Sequence, residues 1–399
     1  MLLNKERAME VMDRHGLDAL VATLPENVQY LSDYRQSHLY SLAVVGIAAA
    51  ILPRDQANEA TLILVDFETP TLLESPTWMP RVVMMDGLAP HVPADVSLTE
   101  RERRVVEHWD SLRKSGTDQN RQTLIARILR EQGLDRGKLA FDDPRVMLEL
   151  HSSELPDADV REAVNVFREI RVIKTSEEVS LLKRASQINE ASLLAAINLA
   201  VSGTPVRDLI RCWKTAMAAQ DAVGIEIPLA GFDRPWQMAA DDGYRLQEGD
   251  HLNIDVAGTF EHYWADTGRT VCVGPPSDRV TELVECLQET HEVARSMLTP
   301  GVATGAIVEE AMNVARGRLD KGFYPVVHSI GIEVYDQPAT LGSLYSDSFD
   351  VEEGMVLNYE SLYFEWPWGA LQLEHTYHVG RDAPERLSTL PDGPLYVER

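Results

Sequence analysis

Helical and extended hydrophobic patterns alternate through the first part of the chain. Ala8, Val11 and Met12 recur at helical spacing, and Gly16 ends that pattern. Four apolar runs that contain β-branched residues predict strands, at residues 17–23, 44–52, 60–65 and 82–85. Two further helices and a short strand are predicted at residues 99–107, 121–133 and 138–141. This alternation indicates an α/β domain, which we expect to occupy residues 1–158.

A different organisation follows in residues 159–399. From Val160 to Val201, apolar residues such as Phe167 and Ile170 lie among Arg, Lys and Glu, which predicts long amphipathic helices. Three more helices are predicted at residues 206–219, 278–297 and 303–319. Five strands are predicted at residues 252–257, 262–264, 270–273, 355–363 and 371–379. Paired strands between helices are typical of an α+β domain, so we expect a second domain of that class.

Charge and cysteine content exclude several classes of function. The chain of 399 residues has 37 Lys and Arg against 63 Asp and Glu, and this formal charge of -26 would repel nucleic acid and anionic lipid. No apolar run reaches the roughly 20 residues that a bilayer requires. The opening residues become charged at once, and the three cysteines form no CxxC pair. We therefore expect a cytoplasmic protein with neither a nucleic-acid nor a membrane partner.

Five potential metal ligands lie within apolar, strand-like segments. Asp255 and Asp266 flank a hairpin-sized connection, so two neighbouring strands could direct both carboxylates at one point. His328, Glu360 and Glu374 lie in three later apolar segments. Unpaired carboxylates are costly to bury, and a pair of divalent cations would remove that cost. Carboxylates with one imidazole suit Mn, Fe, Co or Zn better than Ca or a thiolate-bound metal.

The order of these five residues and the motifs around them resembles the superfamily of methionine aminopeptidase, Xaa-Pro aminopeptidase, prolidase and creatinase. Six motifs carry the resemblance, at residues 25–31, 171–185, 246–250, 266–270, 328–334 and 353–356. The resemblance implies an α+β fold in which a pita-bread catalytic domain, residues 159–399, follows a creatinase/prolidase-type α/β domain, residues 1–158. It also implies a metallohydrolase that acts on a small-molecule substrate and forms a homodimer.

The same resemblance assigns roles to the five residues. All five would be ligands of two divalent metal ions, with Asp266 and Glu374 bridging the ions around a shared water. Glu360 would also accept the proton of that water, because two cations lower the pKa of water and a carboxylate can then take the proton. Alternation along a strand would direct His375 away from the face that Glu374 uses.

The chain departs from the peptidase pattern at two histidines that normally bind the substrate. The position seven residues after the ligand histidine is Tyr335, and residues 233–241 lack the histidine expected before the Leu-x-x-Gly-Asp motif. The residue after the ligand histidine is Ser329 instead of Gly. Donors to a developing oxyanion lower the barrier substantially, so we expect weak or no general Xaa-Pro peptidase activity. Tyr335 would take a catalytic role, and Tyr324 and Trp236 would bind the substrate.

Two reactions and one binding role remain as alternatives. The first is hydrolysis of a C–N bond in a small amide, dipeptide or amidine-like substrate. The second is a C–S lyase, because dimethylsulfoniopropionate lyases resemble this superfamily, lack the same histidines and carry a Pro-Trp pair like Pro235-Trp236. Those lyases show an Asp-x-Asp sequence where this chain has Asp255 and Ala257. A non-catalytic binding module usually loses ligands, whereas this chain keeps five, so we predict the hydrolase.

Overall fold

The computed structural model divides into two compact units, Met1–Arg171 and Val172–Arg399. The division lies later in the chain than the predicted boundary at residue 158. The strand Asp159–Glu162 pairs in parallel with Lys138–Phe141, and this pairing keeps it in the sheet of the first unit. The structure describes residues 1–35, 47–55, 57–88, 91–114, 117–118, 120–226, 229–230, 243–319, 321–336, 338–341 and 348–397.

The first unit is an α/β structure built on one mixed sheet. Its helices are α1 (Lys5–His15), α2 (Pro25–Ser32), α3 (Thr69–Glu74), α4 (Glu100–Arg113), α5 (Arg121–Glu131), α6 (Pro144–Ser153) and α7 (Val164–Arg171). Its strands are β1 (Ala19–Ala22), β2 (Ala48–Pro53), β3 (Thr61–Val65), β4 (Arg81–Met85), β5 (Thr117–Asp118), β6 (Lys138–Phe141) and β7 (Asp159–Glu162). The described strands follow the order β5-β4-β3-β2-β1-β6-β7. Gly16 ends α1 in the left-handed conformation, at φ 61°, as the sequence predicts.

The second unit contains a larger sheet and four described helices. The helices are α8 (Ser176–Ile197), α9 (Val206–Ala218), α10 (Asp278–Met297) and α11 (Thr304–Ala315). The strands are β8 (Ala222–Glu226), β9 (Leu229–Ala230), β10 (His251–Phe260), β11 (Tyr263–Cys272), β12 (Phe323–Ser329), β13 (Ala339–Leu341), β14 (Val356–Glu365), β15 (Gly369–Val379), β16 (Pro384–Arg386) and β17 (Leu395–Tyr396). The main strand order is β13-β12-β14-β15-β11-β10-β8. In the described ranges, no helix combines the length and the apolar character of a membrane span.

The helices of the second unit cover one face of its sheet. Ile254 and Val271 belong to a buried cluster with Trp213 of α9, and Leu373 belongs to another with Leu287 of α10. Side chains alternate between the two faces of a strand. The intervening side chains of β10, β11, β14 and β15 therefore project from the face opposite these helices, and four of the candidate ligands, Asp255, Asp266, Glu360 and Glu374, lie among them.

Candidate metal centre

The hairpin of β10 and β11 directs two carboxylates to the same face of the sheet. Asp255 pairs with Gly268, and Asp266 pairs with Ala257. Directly paired residues share a face, and Gly268 lies two residues from Asp266, so both aspartates project to one side. A Cβ at Gly268 would lie 2.0 Å from Cδ of Gln372. The glycine therefore makes room for the Gln372 side chain beside the two carboxylates.

The neighbouring strands β12, β14 and β15 place three more candidate ligands together. Glu360 lies directly opposite Glu374 in the β14–β15 pair. His328 pairs with Asn358, which lies two residues before Glu360. Nε2 of His328 is 3.0 Å from Oε1 of Glu360. All three side chains consequently project to the same face.

The junction of β11 and β15 brings the two groups into one cluster. Arg269 of β11 pairs with Leu373 of β15. Their chain neighbours Gly268 and Glu374 therefore project from the opposite face of the sheet, which is the ligand face. Potential ligand atoms lie within 4.8 Å of one another in two sets, Asp266 with His328 and Glu374, and Asp255 with Glu360 and Glu374. Glu374 belongs to both sets, which is the arrangement that a bridging ligand requires. Asp266, the other expected bridging ligand, belongs to the first set only.

Mutual repulsion and burial perturb the carboxylates of this cluster. Burial, and then the negative charge of Glu360, raises the pKa of Asp255 to about 7. Burial, followed by the charges of Asp266 and Glu360, raises the pKa of Glu374 well above its usual value. Bound divalent cations act in the opposite direction, because a nearby positive charge favours the ionised form of a carboxylate.

Three buried polar atoms of the cluster test whether its residues fit a metal. Nε2 of His328, Oε1 of Glu360 and Oε2 of Glu374 have no hydrogen-bond partner among the described residues. His328 Nε2 and Glu360 Oε1 are close, yet they are not aligned for a hydrogen bond. His328 Nδ1 lies 3.1 Å from the carbonyl oxygen of Ser329, which can only accept a hydrogen bond. This contact favours the neutral tautomer with the proton on Nδ1, in which Nε2 keeps its lone pair. Lone pairs on imidazole and carboxylates fit a divalent cation.

Two amide side chains extend the polar face of the cluster. Nδ2 of Asn358 donates to Oε1 of Glu374 at 2.6 Å. Nε2 of Gln372 lies 3.3 Å from Oδ2 of Asp255 and 3.4 Å from Oε2 of Glu360. Neither residue was predicted from the sequence. Their signal was a polar residue two positions before each ligand glutamate, which alternation places on the ligand face.

Two of the three residues predicted to act in catalysis or substrate binding, Tyr335 and Tyr324, lie in the described part of the chain. The ring of Tyr335 stacks on that of His328, with 4.3 Å between centroids and 27° between planes. The charge of Glu360, and then burial, raises the pKa of Tyr335, so its phenol stays protonated at neutral pH. Tyr324 lies four residues before His328 on the same face of β12, and 41% of it is exposed. Trp236 lies outside the described residues.

A second polar network lies behind the ligands, on the helix-covered face. The Arg269 guanidinium donates to the backbone carbonyl of Glu374 and lies 3.8 Å from Glu190. His375 points away from the ligand face, as alternation predicts, and its Nε2 is 3.0 Å from Oδ1 of Asp392. Arg269 therefore ties β11 to β15 directly behind the cluster. Sequence reasoning did not single out Arg269, although it lies within the motif that contains Asp266.

Comparison with known proteins supports the same two-part organisation. The family model "Creatinase/Prolidase N-terminal domain" matches residues 5–173, and "Metallopeptidase family M24" matches residues 180–381. An Xaa-Pro dipeptidase from Pyrococcus furiosus is 26% identical over 231 residues, which are 56% of this chain and 65% of the relative. The match thus spans less than two thirds of that relative.

Two solved structures share the fold over nearly their whole length. An Xaa-Pro dipeptidase from Bacillus anthracis is 18% identical with a TM-score of 0.76, and covers 98% of this chain and 99% of its own. An X-Pro aminopeptidase from Thermotoga maritima is 20% identical with a TM-score of 0.73, and covers 99% of both chains. The predicted α+β class, with a pita-bread domain after a creatinase/prolidase-type domain, is confirmed. The M24 model covers about half of the chain, and a metallopeptidase family implies divalent metal cofactors. The chain belongs to metallopeptidase family M24.

Proposed function

We propose that this chain is a metal-dependent hydrolase that cleaves a C–N bond in a small substrate at the Asp255, Asp266, His328, Glu360 and Glu374 cluster. The observation that carries the proposal is the convergence of their ligand atoms in two largely buried sets, each within 4.8 Å, that share Glu374. These residues would hold two divalent ions, drawn from Mn, Fe, Co or Zn. When bound, such ions polarise a carbonyl oxygen and lower the pKa of water.

Glu360 is the proposed proton acceptor. Its carboxylate is buried, 3% exposed, and Gln372 approaches Oε2 while Oε1 lacks a hydrogen-bond partner among the described residues. A carboxylate held at one oxygen can present the other to an attacking water and then pass the proton to the leaving nitrogen. Gln372 would thus orient Glu360.

Tyr335 is the proposed donor to the oxyanion that develops on the substrate carbonyl. It occupies the position of a missing histidine, and its ring lies against His328 at the edge of the cluster. A protonated phenol can donate one hydrogen bond, as a histidine would. Because a tyrosine takes the place of this histidine, we expect a substrate that is smaller than an ordinary Xaa-Pro peptide or different from it in shape.

Tyr324 would contact an apolar part of the substrate. It pairs with Leu362 across β12 and β14, and its ring centroid is 6.1 Å from that of Phe364. Even-numbered residues of these strands share the ligand face, so this partly exposed apolar strip continues from the cluster. Trp236 stays a predicted substrate contact, and the homodimer and the cytoplasmic location stay predictions.

Metal analysis followed by a substrate panel tests the proposed function. The protein is stripped with chelator, reloaded with Mn, Co or Zn, and assayed on Gly-Pro, Ala-Pro, small amides and dimethylsulfoniopropionate. We expect metal-dependent hydrolysis of an amide, which is lost in Glu360→Gln and kept in the control Glu365→Gln. Glu365 lies on the same strand as Glu360, and its side chain pairs with Arg279 of α10. Full turnover without metal, or lyase activity alone, would contradict the proposal. None of the relatives and structures named above is a lyase.

A further inference from the structure

The segment that carries Tyr335 is a closed loop, residues 329–336, hereafter the Tyr335 loop. The backbone N–H of Asp336 donates to the carbonyl of Ser329 at 3.0 Å and closes its base. The N–H of Trp264 in β11 donates to the carbonyl of Gly331 at 2.8 Å. These backbone contacts hold the base and one side of the loop, whereas 38% of Tyr335 is exposed. The ring itself lies against His328, and the next residue along the chain, Asp336, closes the base of the loop.

Asp336 forms a buried ion pair across a long sequence distance. Its Oδ2 is 3.2 Å from Nζ of Lys174, and neither side chain is exposed. Lys174 comes just before α8, and its backbone N–H donates to the carbonyl of Gly354 at 2.9 Å. A Cβ at Gly331 would lie 2.3 Å from Oδ2 of Asp336 and 3.1 Å from Nζ of Lys174. The ion pair thus occupies space inside the loop that glycine leaves open.

A second carboxylate fixes the environment of this pair. Glu178, in the first turn of α8, is 2% exposed, and it accepts a hydrogen bond from the hydroxyl of Tyr263 at 3.1 Å. It also accepts the N–H of Thr175 at 2.9 Å in a capping box. Burial raises the pKa of Glu178 to about 7, the charge of Lys174 acts against this rise and that of Asp336 adds to it, so the three groups interact. Lys174 consequently interacts with the Tyr335 loop through Asp336 and with Glu178, which in turn connects the start of α8 to β11.

We propose that the Lys174–Asp336 ion pair is a positioning device, which holds the Tyr335 loop in the conformation that lays the tyrosine ring on His328. Lys174 and Asp336 act through Tyr335, and the inference rests on the proposed function of that residue. A buried ion pair contributes little net stability compared with apolar side chains of similar volume, but its partners have few acceptable arrangements. Such a pair is suited to fixing one loop geometry. Neither residue was given a role by the ligand set or by the proposed mechanism.

Hydrogen exchange tests the positioning without any substrate. Amide exchange in residues 329–336 is measured on the full chain, metal-free and with Mn, for the wild type, Lys174→Met and Lys174→Arg. The matched control is Lys183→Met, which removes an exposed ion pair with Glu385 from α8, the helix that follows Lys174. We expect exchange in the loop to rise by about tenfold in Lys174→Met, to recover partly in Lys174→Arg, and to stay unchanged in the control.

A double replacement keeps the test decisive if the single variant fails to fold. Lys174→Met combined with Asp336→Leu removes both charges of the pair, so neither partner is left buried without the other and the variant is expected to fold. Loop exchange should still rise in this variant, because the specific pairing is absent. Unchanged exchange in a folded variant would overturn the proposal, whether or not any substrate has been found.

Kinetics on the Mn-loaded enzyme, with the most rapidly cleaved amide of the panel, separates positioning from general structural damage. Lys174→Met should lower kcat by about tenfold or more while leaving KM and bound Mn unchanged. In a Tyr335→Phe background, the same replacement should lower kcat no further, because both changes remove one contribution. Effects that multiply would overturn the proposal. Absence of turnover on the whole panel would contradict the proposed function, while the exchange result would still decide the positioning.

Discussion

Glu360 and Glu374 lie directly opposite each other on β14 and β15, with both carboxylates on one face of the sheet and almost fully buried. Like charges at directly paired positions destabilise an antiparallel sheet. His328, Asn358 and Gln372 lie around this pair, and the Arg269 guanidinium lies behind Glu374 on the other face of the sheet. Repulsion between the two carboxylates therefore destabilises the metal-free protein, whereas the same charges attract cations. The metal-free and the metal-bound protein should consequently differ in measurable ways.

Replacing Glu374 should uncouple metal binding from stability. Glu374→Gln keeps the oxygen that accepts from Asn358 but removes a charge from both ligand sets. We expect the metal-free variant to be at least as stable as the metal-free wild type, because repulsion among the carboxylates decreases. Mn at about 100 times the Kd of the wild type should stabilise that protein by about 2.7 kcal/mol and the variant far less. Thermal unfolding with and without Mn measures both effects.

Asp266→Ala should reduce the metal content and abolish the activity, which elemental analysis and the substrate panel measure. Glu365→Gln is the control, since its ion pair with Arg279 lies at the exposed end of β14. If Mn stabilised the wild type and Glu374→Gln equally, Glu374 would not be a ligand shared by the two sets.

Glu360→Gln should affect the reaction more than metal binding. Glutamine can still offer one oxygen to a cation, but it cannot accept a proton at neutral pH. A general base typically contributes about 10² to 10⁴ in rate, so kcat should decrease by that factor. Bound Mn per chain, measured by elemental analysis, should decrease only slightly. A variant that loses its metal and its rate in parallel would show that Glu360 acts as a ligand only.

Tyr335→Phe should lower kcat by about 10² to 10³ with little change in KM, because it removes a donor that acts in the transition state. The ring stack on His328 would persist in phenylalanine, so the packing should remain intact. Tyr324→Phe provides the contrast and should alter KM more than kcat. Turnover of Gly-Pro by the wild type above about 10 per second, a typical enzyme rate, would show that the missing histidines matter less than we infer.

Glu178 should make stability depend on pH. Burial raises its pKa in the folded protein to about 7, compared with 4.5 for the ordinary group. Between these values the folded state keeps a proton that the unfolded state has lost, so the free energy of unfolding should fall as the pH rises. The limit for one group is about 1.4 kcal/mol per pH unit. Urea unfolding between pH 4.5 and 7.5 should give a shallower decrease for Glu178→Gln.

Other buried carboxyls titrate in the same pH window, including Asp142, whose pKa burial raises to about 6. The difference between the wild type and the variant isolates Glu178 from these groups. Glu385→Gln, at an exposed ion pair, should leave the pH profile unchanged. Parallel pH profiles for the wild type and Glu178→Gln would contradict this prediction.

Amphipathic helices and apolar strands were predictable from the sequence, and short helices and polar strands were not. The helix predicted at residues 278–297 is α10, where Ser277 caps the first turn, and the strand predicted at residues 138–141 is β6. The helices α2 and α3 were not predicted, because each is short and has a proline in its first turn. The polar strand β7 was also missed, because its pairing with β6 outweighs its weak strand pattern.

Alternation predicted which face the candidate ligands use, but it did not give their contacts across the chain. The opposite directions of Glu374 and His375 follow from strand geometry alone. The pairing of Lys174 with Asp336 joins positions 162 residues apart, and no local pattern encodes such a contact. The position of Tyr335 on His328 depends on the shape of an irregular loop, for which hydrophobic spacing gives no information.

The adjacent residues Glu374 and His375 project from opposite faces of β15. The register of the β14–β15 hairpin must therefore be kept when the sequence changes. A one-residue slip would put the imidazole among the carboxylates and the carboxylate beside Asp392. Both faces would then lose complementary partners at once. Insertions or deletions at the hairpin tip, near the exposed Trp366, are therefore tolerated only when the pairing between Glu360 and Glu374 is kept.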